Sequence, residues 1–208
     1  MNTISFLFIN LTKKHCENKT RFFLICINNI INDKTVMMKN SVKILAPAIL
    51  LILMAFITPK AKLMVSSSAF VQNGMIPAKY SCQGAEVSPP LTISNIPAST
   101  KSLAIIVHDP DAPHPGGVYH WVAWNLPADG NITENFKGGN QGLNSDHKTG
   151  YKGMCPGEGT HHYNFKVYAL DIMLQLDTAI TDNQALLTAM QGHIIAQGEL
   201  TGLFSKGK

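Results

Sequence analysis

The sequence predicts a β-rich domain, an antiparallel sandwich or barrel with a C-terminal helix. Short apolar segments alternate with turns rich in proline and glycine from residue 70 to residue 171, and only the last forty residues have helical spacing. Several short strands at such intervals, separated by turn signals, are typical of antiparallel sandwiches and barrels.

Four segments predict strands. Residues 103–108 (LAIIVH) form a continuous apolar run, as expected for a buried strand. Residues 119–126 and 163–170 alternate large apolar residues with others and are rich in aromatic side chains. Residues 91–96 form a shorter candidate with prolines on both sides.

The predicted helix lies near the C-terminus. Asp182 is a suitable N-cap, and Gly192 and Gly198 leave the end of the helix open. The positions that recur at helical spacing are Ala185, Leu186, Ala189, Met190 and His193.

A leader precedes the domain. Residues 37–61 combine a positive flank with the fourteen apolar residues 44–57, which is short of the roughly 20 needed to span a bilayer. This order predicts a signal peptide, with an uncleaved membrane anchor as the alternative. Residues 1–36 are expected to be a disordered extension or sequence upstream of the true start. Residues 62–208 are long enough for one domain.

The charge of the predicted domain argues against a nucleic-acid partner. Residues 62–208 contain nine lysines, no arginine and eleven acidic residues, so the basic pI comes from residues 1–61. A chain without a basic run is poorly suited to bind a phosphate backbone. Cys82 and Cys155 are the domain's two cysteines, and either a disulfide or two separate thiols is compatible with the sequence.

Three polar segments lie at the ends of predicted strands. They are Asp109-Pro-Asp111, His120-Trp121 and the stretch 159–163, which contains His161 and Tyr163. Because strand ends and their loops gather at one rim of a sandwich, we expect the three segments to converge.

Four kinds of chemistry compete for these residues. The sequence contains neither an HExxH motif nor a CxxC pair, which argues against a metal site. It also lacks the GxSxG motif of many hydrolases, and Cys155 is the only candidate nucleophile near a histidine by motif. Asp109 and Asp111 can also act simply as turn formers. We favour an anion pocket, in which a carboxylate beside an imidazole, such as Asp109 beside His120 or His161, favours the positively charged imidazole.

Four ordered blocks resemble the phosphatidylethanolamine-binding protein family, which includes the Raf kinase inhibitor proteins, and in particular its bacterial branch. The resemblance runs from about Phe70 to the C-terminus. The blocks are HDPDAPHPGGVYHWVAWNLP, YKGMCPGEGTHHYNFKVYALD, IPAKYSCQGAEVSPPL and AMQGHIIAQGELTG.

The resemblance implies two antiparallel sheets with a few short peripheral helices and a small surface pocket for phosphate-like anions. The pocket residues implied by the matching motifs are Asp109, Asp111, His120, Gly153, Cys155, Pro156, His161 and Tyr163. Two departures stand out: His162 replaces the family's usual arginine, and Met154 and Gly157 replace prolines that usually flank the Cys-Pro pair.

We therefore expect an exported, non-enzymatic protein that binds a phosphate monoester or a phospholipid headgroup, without a cofactor or a metal. The alternatives are an inhibitor that binds a kinase or protease through its surface, and a weak hydrolase that uses His161 or His120 as base. A periplasmic or secreted location follows from the leader, and a homodimer is possible.

Overall fold

The computed structural model describes residues 61–207, without the side chain of Ala61. The expectations for residues 1–36 and for most of the 37–61 leader lie outside the described residues. Within residues 61–207, no helix has the length and apolar character that a membrane crossing requires.

Ten strands form two sheets in the described part of the chain, which confirms the predicted fold class. The seven-stranded sheet has the order β1-β10-β9-β5-β6-β8, with β3 also paired to β10, and the three-stranded sheet has the order β2-β4-β7. Most pairs are antiparallel, but β1 and β3 run parallel to β10. The strands are β1 (Ala61–Lys62), β2 (Met64–Ser66), β3 (Gly74–Met75), β4 (Leu91–Ser94), β5 (Ser102–Asp109), β6 (Val118–Leu126), β7 (Asn131–Ile132), β8 (Asn140–Gln141), β9 (Thr160–Leu170) and β10 (Ile194–Ser205).

The central strand β5 explains why the large sheet has two covered faces. Its side chains alternate between two cores, with Ile105 and Val107 on one face and Ala104 and Ile106 on the other. The first core also contains residues of the small sheet and lies between the two sheets. The second core packs beneath the helix. A continuous apolar run is what a strand buried on both faces requires.

The helix is shorter than the sequence suggested. It spans Asn183–Ala189, and the Asp182 carboxylate caps it by accepting a hydrogen bond from the Ala185 N–H at 2.8 Å. The expectation of helix beyond this segment is wrong, because Ile194–Ser205 is the longest strand of the described chain. Gly198 suits that strand, since a Cβ there would lie 2.4 Å from the carbonyl oxygen of Leu63. The only other helical element described is a 3-10 turn, Ala78–Tyr80.

Candidate functional site

Asp109 ends strand β5 and is almost fully buried, with 3% of its surface exposed. Its Oδ1 accepts hydrogen bonds from the N–H groups of Asp111 at 2.9 Å and Ala112 at 3.1 Å. The other oxygen, Oδ2, lies 2.8 Å from Nδ1 of His161. The carboxylate therefore fixes the turn after β5 and orients an imidazole of β9 at the same time.

His161 and Tyr163 lie two residues apart on β9 and therefore face the same side of the large sheet. Their rings stack, with centroids 6.5 Å apart. The Tyr163 hydroxyl is buried and has no hydrogen-bond partner in the described structure. Burial first, and then the charge of Asp109, raises the pKa of this hydroxyl, so it keeps its proton. The Asp109 carboxylate lies near this hydroxyl and contributes to the raised pKa, but in the described structure the hydroxyl makes no hydrogen bond of ordinary geometry.

His120 reaches the same place through a β-bulge. Val107 pairs with Trp121 and the next residue, His108, pairs with Tyr119, so His120 is an extra residue in β6. Bulges re-aim side chains, and here His120 and Trp121 turn to the same face although they are neighbours. The His120 ring is 2% exposed and packs edge-on against Tyr163, with centroids 5.3 Å apart.

A backbone carbonyl fixes the protonation of His120. Its Nδ1 lies 3.1 Å from the carbonyl oxygen of Lys152, which can only accept, so Nδ1 carries a hydrogen. Burial lowers the pKa of His120 to about 4 and outweighs the opposite effects of the Lys152 carbonyl and of Asp109. The ring is therefore neutral at neutral pH, and Nε2 is a buried acceptor without a partner.

This result corrects one expectation. The sequence favoured an imidazolium beside Asp109 at either His120 or His161, but only His161 is hydrogen-bonded to that carboxylate. His120 is neutral instead. Sequence reasoning also missed Lys152 and the bulge, because a backbone acceptor and a strand irregularity leave no motif.

We call Asp109, His120, His161 and Tyr163 the inner cluster. Asp111 lies beside it but turns outwards: its Oδ2 accepts hydrogen bonds from the backbone N–H of His162 and lies 2.7 Å from His162 Nδ1. The backbone N–H and then the side chain of His162 lower the pKa of Asp111. With side chains 40% and 55% exposed, Asp111 and His162 form a pair at the rim of the cluster.

The loop from Gly153 to Pro156 packs against the segment that follows the 3-10 turn. Cys155 forms a disulfide with Cys82, and the Cys82 N–H donates to the Met154 carbonyl at 3.0 Å. Gly153 and Pro156 are buried, whereas Cys155 is exposed. The disulfide removes the thiolate that a Cys155 nucleophile would need.

The other histidines of the opening motif lie outside the inner cluster. His108 stacks on Tyr119 with centroids 4.5 Å apart, and its Nε2 lies 2.9 Å from the carbonyl oxygen of Gly116. His114 is exposed. Among residues 61–207, no three His, Cys, Asp or Glu side chains are arranged to hold a metal ion.

Comparisons with known proteins agree with the fold. The family model described as "Phosphatidylethanolamine-binding protein" matches residues 66–205. A UPF0098 protein of Pyrococcus horikoshii is 46% identical over 151 residues, which cover 67% of this chain and 75% of that protein. A protein of Mycobacterium tuberculosis named as a candidate lipoprotein is 40% identical, with 68% and 72% covered.

A solved structure is similar as well. The crystal structure of a candidate phosphatidylethanolamine-binding protein homologue from Chlamydia trachomatis has a TM-score of 0.67 and 41% identity, and the match covers 70% of this chain and 99% of that one. With the family model matching most of the described residues, this chain belongs to the phosphatidylethanolamine-binding protein family.

Proposed function

We propose that this protein binds a small phosphate-type anion, either a free phosphate ester or a phospholipid headgroup, at the inner cluster and breaks no bond in it. The observation that carries the proposal is the pair of buried polar atoms without partners, His120 Nε2 and Tyr163 Oη. Buried polar groups are almost always hydrogen-bonded in native proteins, so two such atoms in one place favour a ligand as the missing partner.

The surroundings suit an anion with several oxygens. The Tyr163 hydroxyl is a donor, and the imidazole of His161 is oriented by Asp109 through Nδ1, which leaves Nε2 for a ligand. His161 forms an ion pair with Asp109 whenever its ring is protonated. Both partnerless atoms are shielded from solvent, so we expect the structure around the inner cluster to open when a ligand enters.

The inner cluster does not suit hydrolysis through a covalent intermediate. Asp109 and His161 have the geometry of an oriented base, but a covalent mechanism also needs an activated hydroxyl or thiol beside it. The sulfur of Cys155 is bonded to Cys82, and the Tyr163 proton is held firmly by burial. A base without a nucleophile binds and orients a ligand without forming a covalent intermediate.

Export is part of the proposal. The candidate-lipoprotein name of the Mycobacterium tuberculosis relative and the signal-like 37–61 segment of this chain both support transfer across a membrane. The disulfide between Cys82 and Cys155 suits an oxidising compartment. We therefore propose that the protein acts in a periplasm or outside the cell.

Calorimetric titration of the full-length protein with inorganic phosphate and with O-phosphorylethanolamine tests the proposal. We expect saturable binding, weakened about 10-fold or more in Tyr163→Phe, which removes the donor and keeps the ring. His114→Ala, at an exposed position outside the inner cluster, is the control and should bind as the natural protein does. Absence of heat at millimolar ligand in a folded sample would reject an anion site here.

A further inference from the structure

The two buried atoms of the inner cluster that have no partner are one donor and one acceptor, and the acceptor is unusual for an anion site. His120 donates through Nδ1 to the Lys152 carbonyl at 3.1 Å, so its neutral ring offers only a lone pair at Nε2. An oxygen of a fully deprotonated anion also offers only lone pairs. If such an oxygen faced Nε2 of His120, both acceptors would be buried without a hydrogen bond, which would weaken binding.

We propose that the ligand is a phosphate monoester that binds as its hydrogen-phosphate monoanion, with the P–O–H group donating to Nε2 of His120 and an unprotonated oxygen accepting from the Tyr163 hydroxyl. The inference rests on the proposed function and narrows it. A phosphodiester headgroup has no such hydrogen and is excluded, whereas a monoester has a second pKa of about 6 and carries the hydrogen at mildly acidic pH.

The groups around His120 favour this arrangement. Asp109 faces it from β5 with a negative charge, and Tyr163 faces it from β9 with a retained proton. Lys152 and Asp146 belong to the loop on the remaining side and pair with each other at 2.6 Å. The Lys152 ammonium disfavours a second positive charge on His120, and Asp109 disfavours a second negative charge on the ligand.

The alternative is that His120 takes up a proton when a fully ionised ligand binds. Burial opposes it, since the pKa of His120 is about 4. A proton that arrives already attached to the ligand avoids placing a charge on the buried ring. The distinction is measurable, because one route requires a protonatable ligand and the other does not.

The test compares three ligands of the full-length protein at pH 6 and pH 8 by calorimetry. O-phosphorylethanolamine carries the hydrogen, ethanolamine O-sulfate has the same shape without it, and glycerophosphorylethanolamine is the diester. At pH 6 we expect the sulfate and the diester to bind about 10- to 100-fold more weakly than the monoester. From pH 6 to pH 8 the monoester should weaken by tens of fold as it loses the hydrogen, while the sulfate changes little.

The sulfate also serves as a control for the protein, because its own charge does not change between pH 6 and pH 8 and its affinity therefore reports changes in the site itself. Sulfate binding within about twofold of phosphate binding at pH 6 overturns the inference and leaves the anion site intact. Diester binding as tight as monoester binding also overturns the inference and leaves the anion site intact. If none of the three ligands binds, the proposed function fails together with the inference.

The variant His120→Asn tests whether the preference for phosphate over sulfate depends on His120. His120→Asn keeps a side-chain N–H for the Lys152 carbonyl and removes the Nε2 acceptor, so phosphate binding should fall to the level of sulfate binding. His114→Asn is the matched control and should keep the full preference for phosphate. A preference that survives in His120→Asn, in a sample with the natural circular dichroism spectrum, would overturn the role of Nε2.

Discussion

Nδ1 of His161 lies 2.8 Å from Oδ2 of Asp109, and both side chains are nearly buried, with 11% and 4% of their surface exposed. The same carboxylate accepts two backbone N–H groups of the following turn through its other oxygen. One buried carboxylate therefore joins the end of β5, the turn after it and the start of β9. Its removal should affect both the fold and the site.

Asp109→Asn tests this joint role. The amide keeps one oxygen for the turn but can place an N–H donor against the Nδ1–H of His161, so we expect a loss of about 1–3 kcal/mol in the free energy of unfolding, measured in urea. Asp171→Asn is the control, since Asp171 also pairs with a histidine, His193 at 2.9 Å, but the two side chains are 43% and 41% exposed. It should cost at most about 1 kcal/mol. Equal losses in the two variants would contradict the role of burial.

The sequence predicts that Asp109 and His161 converge, because the ends of strands can be recognised from where apolar runs stop. The run before Asp109 and the aromatic run that contains Tyr163 are central strands, and their antiparallel pairing brings Asp109 to His161. The four predicted strands all exist in the described chain. The ligand roles of these residues remain predictions.

The sequence could not predict features that depend on register or on the backbone. The orientation of His120 follows from one extra residue in β6, and its protonation follows from the carbonyl of Lys152. The helical spacing predicted for the last forty residues does not extend into β10, and the glycines of this segment interrupt helical and strand patterns alike. In the structure, Gly198 and Gly202 allow neighbouring segments to approach β10 closely. Such contacts are tertiary and are not encoded in local spacing.

The neutrality of His120 predicts how stability depends on pH. The pKa falls from 6.5 to about 4 on folding, so between these values the unfolded chain binds more protons than the folded one. The contribution of His120 to the free energy of unfolding is therefore fully present above pH 6.5. It is lost as the pH falls towards 4, by an amount on the order of 3 kcal/mol. Urea unfolding at pH 7 and pH 4.5 should show a smaller difference for His120→Asn than for the natural protein. An unchanged difference would contradict a depressed pKa, and His114→Asn is the control.

The disulfide should stabilise the fold more than it shapes the site. It closes a sequence separation of 73 residues, so loop-closure entropy predicts that the double variant Cys82→Ser with Cys155→Ser loses about 4 kcal/mol. Without the disulfide, the hydrogen bond from the Cys82 N–H to the Met154 carbonyl and the isolated β-bridge between Ser81 and Met154 still hold the loop. We therefore expect a lower melting temperature but phosphate affinity within a few-fold of the natural protein. Loss of affinity in a sample still folded would show that the disulfide positions the site.

Two glycines of the same loop allow a matched test of how tightly that loop is packed. A Cβ on Gly153 would lie 2.9 Å from the carbonyl carbon of Ser81 and 3.0 Å from the nitrogen of Cys82, and neither backbone atom can move without shifting the loop. A Cβ on Gly157 would meet nothing within 4 Å.

Gly153→Ala should therefore destabilise the protein by about 1–3 kcal/mol, whereas Gly157→Ala should stay within about 0.5 kcal/mol of the natural protein. Because Gly153 directly follows Lys152, the shift should also disturb the carbonyl that orients His120, so phosphate affinity should fall in Gly153→Ala alone. Thermal unfolding and phosphate titration of both variants check the two effects together. If Gly153→Ala loses stability but keeps its affinity, the Lys152 carbonyl is not what holds His120 in its binding orientation.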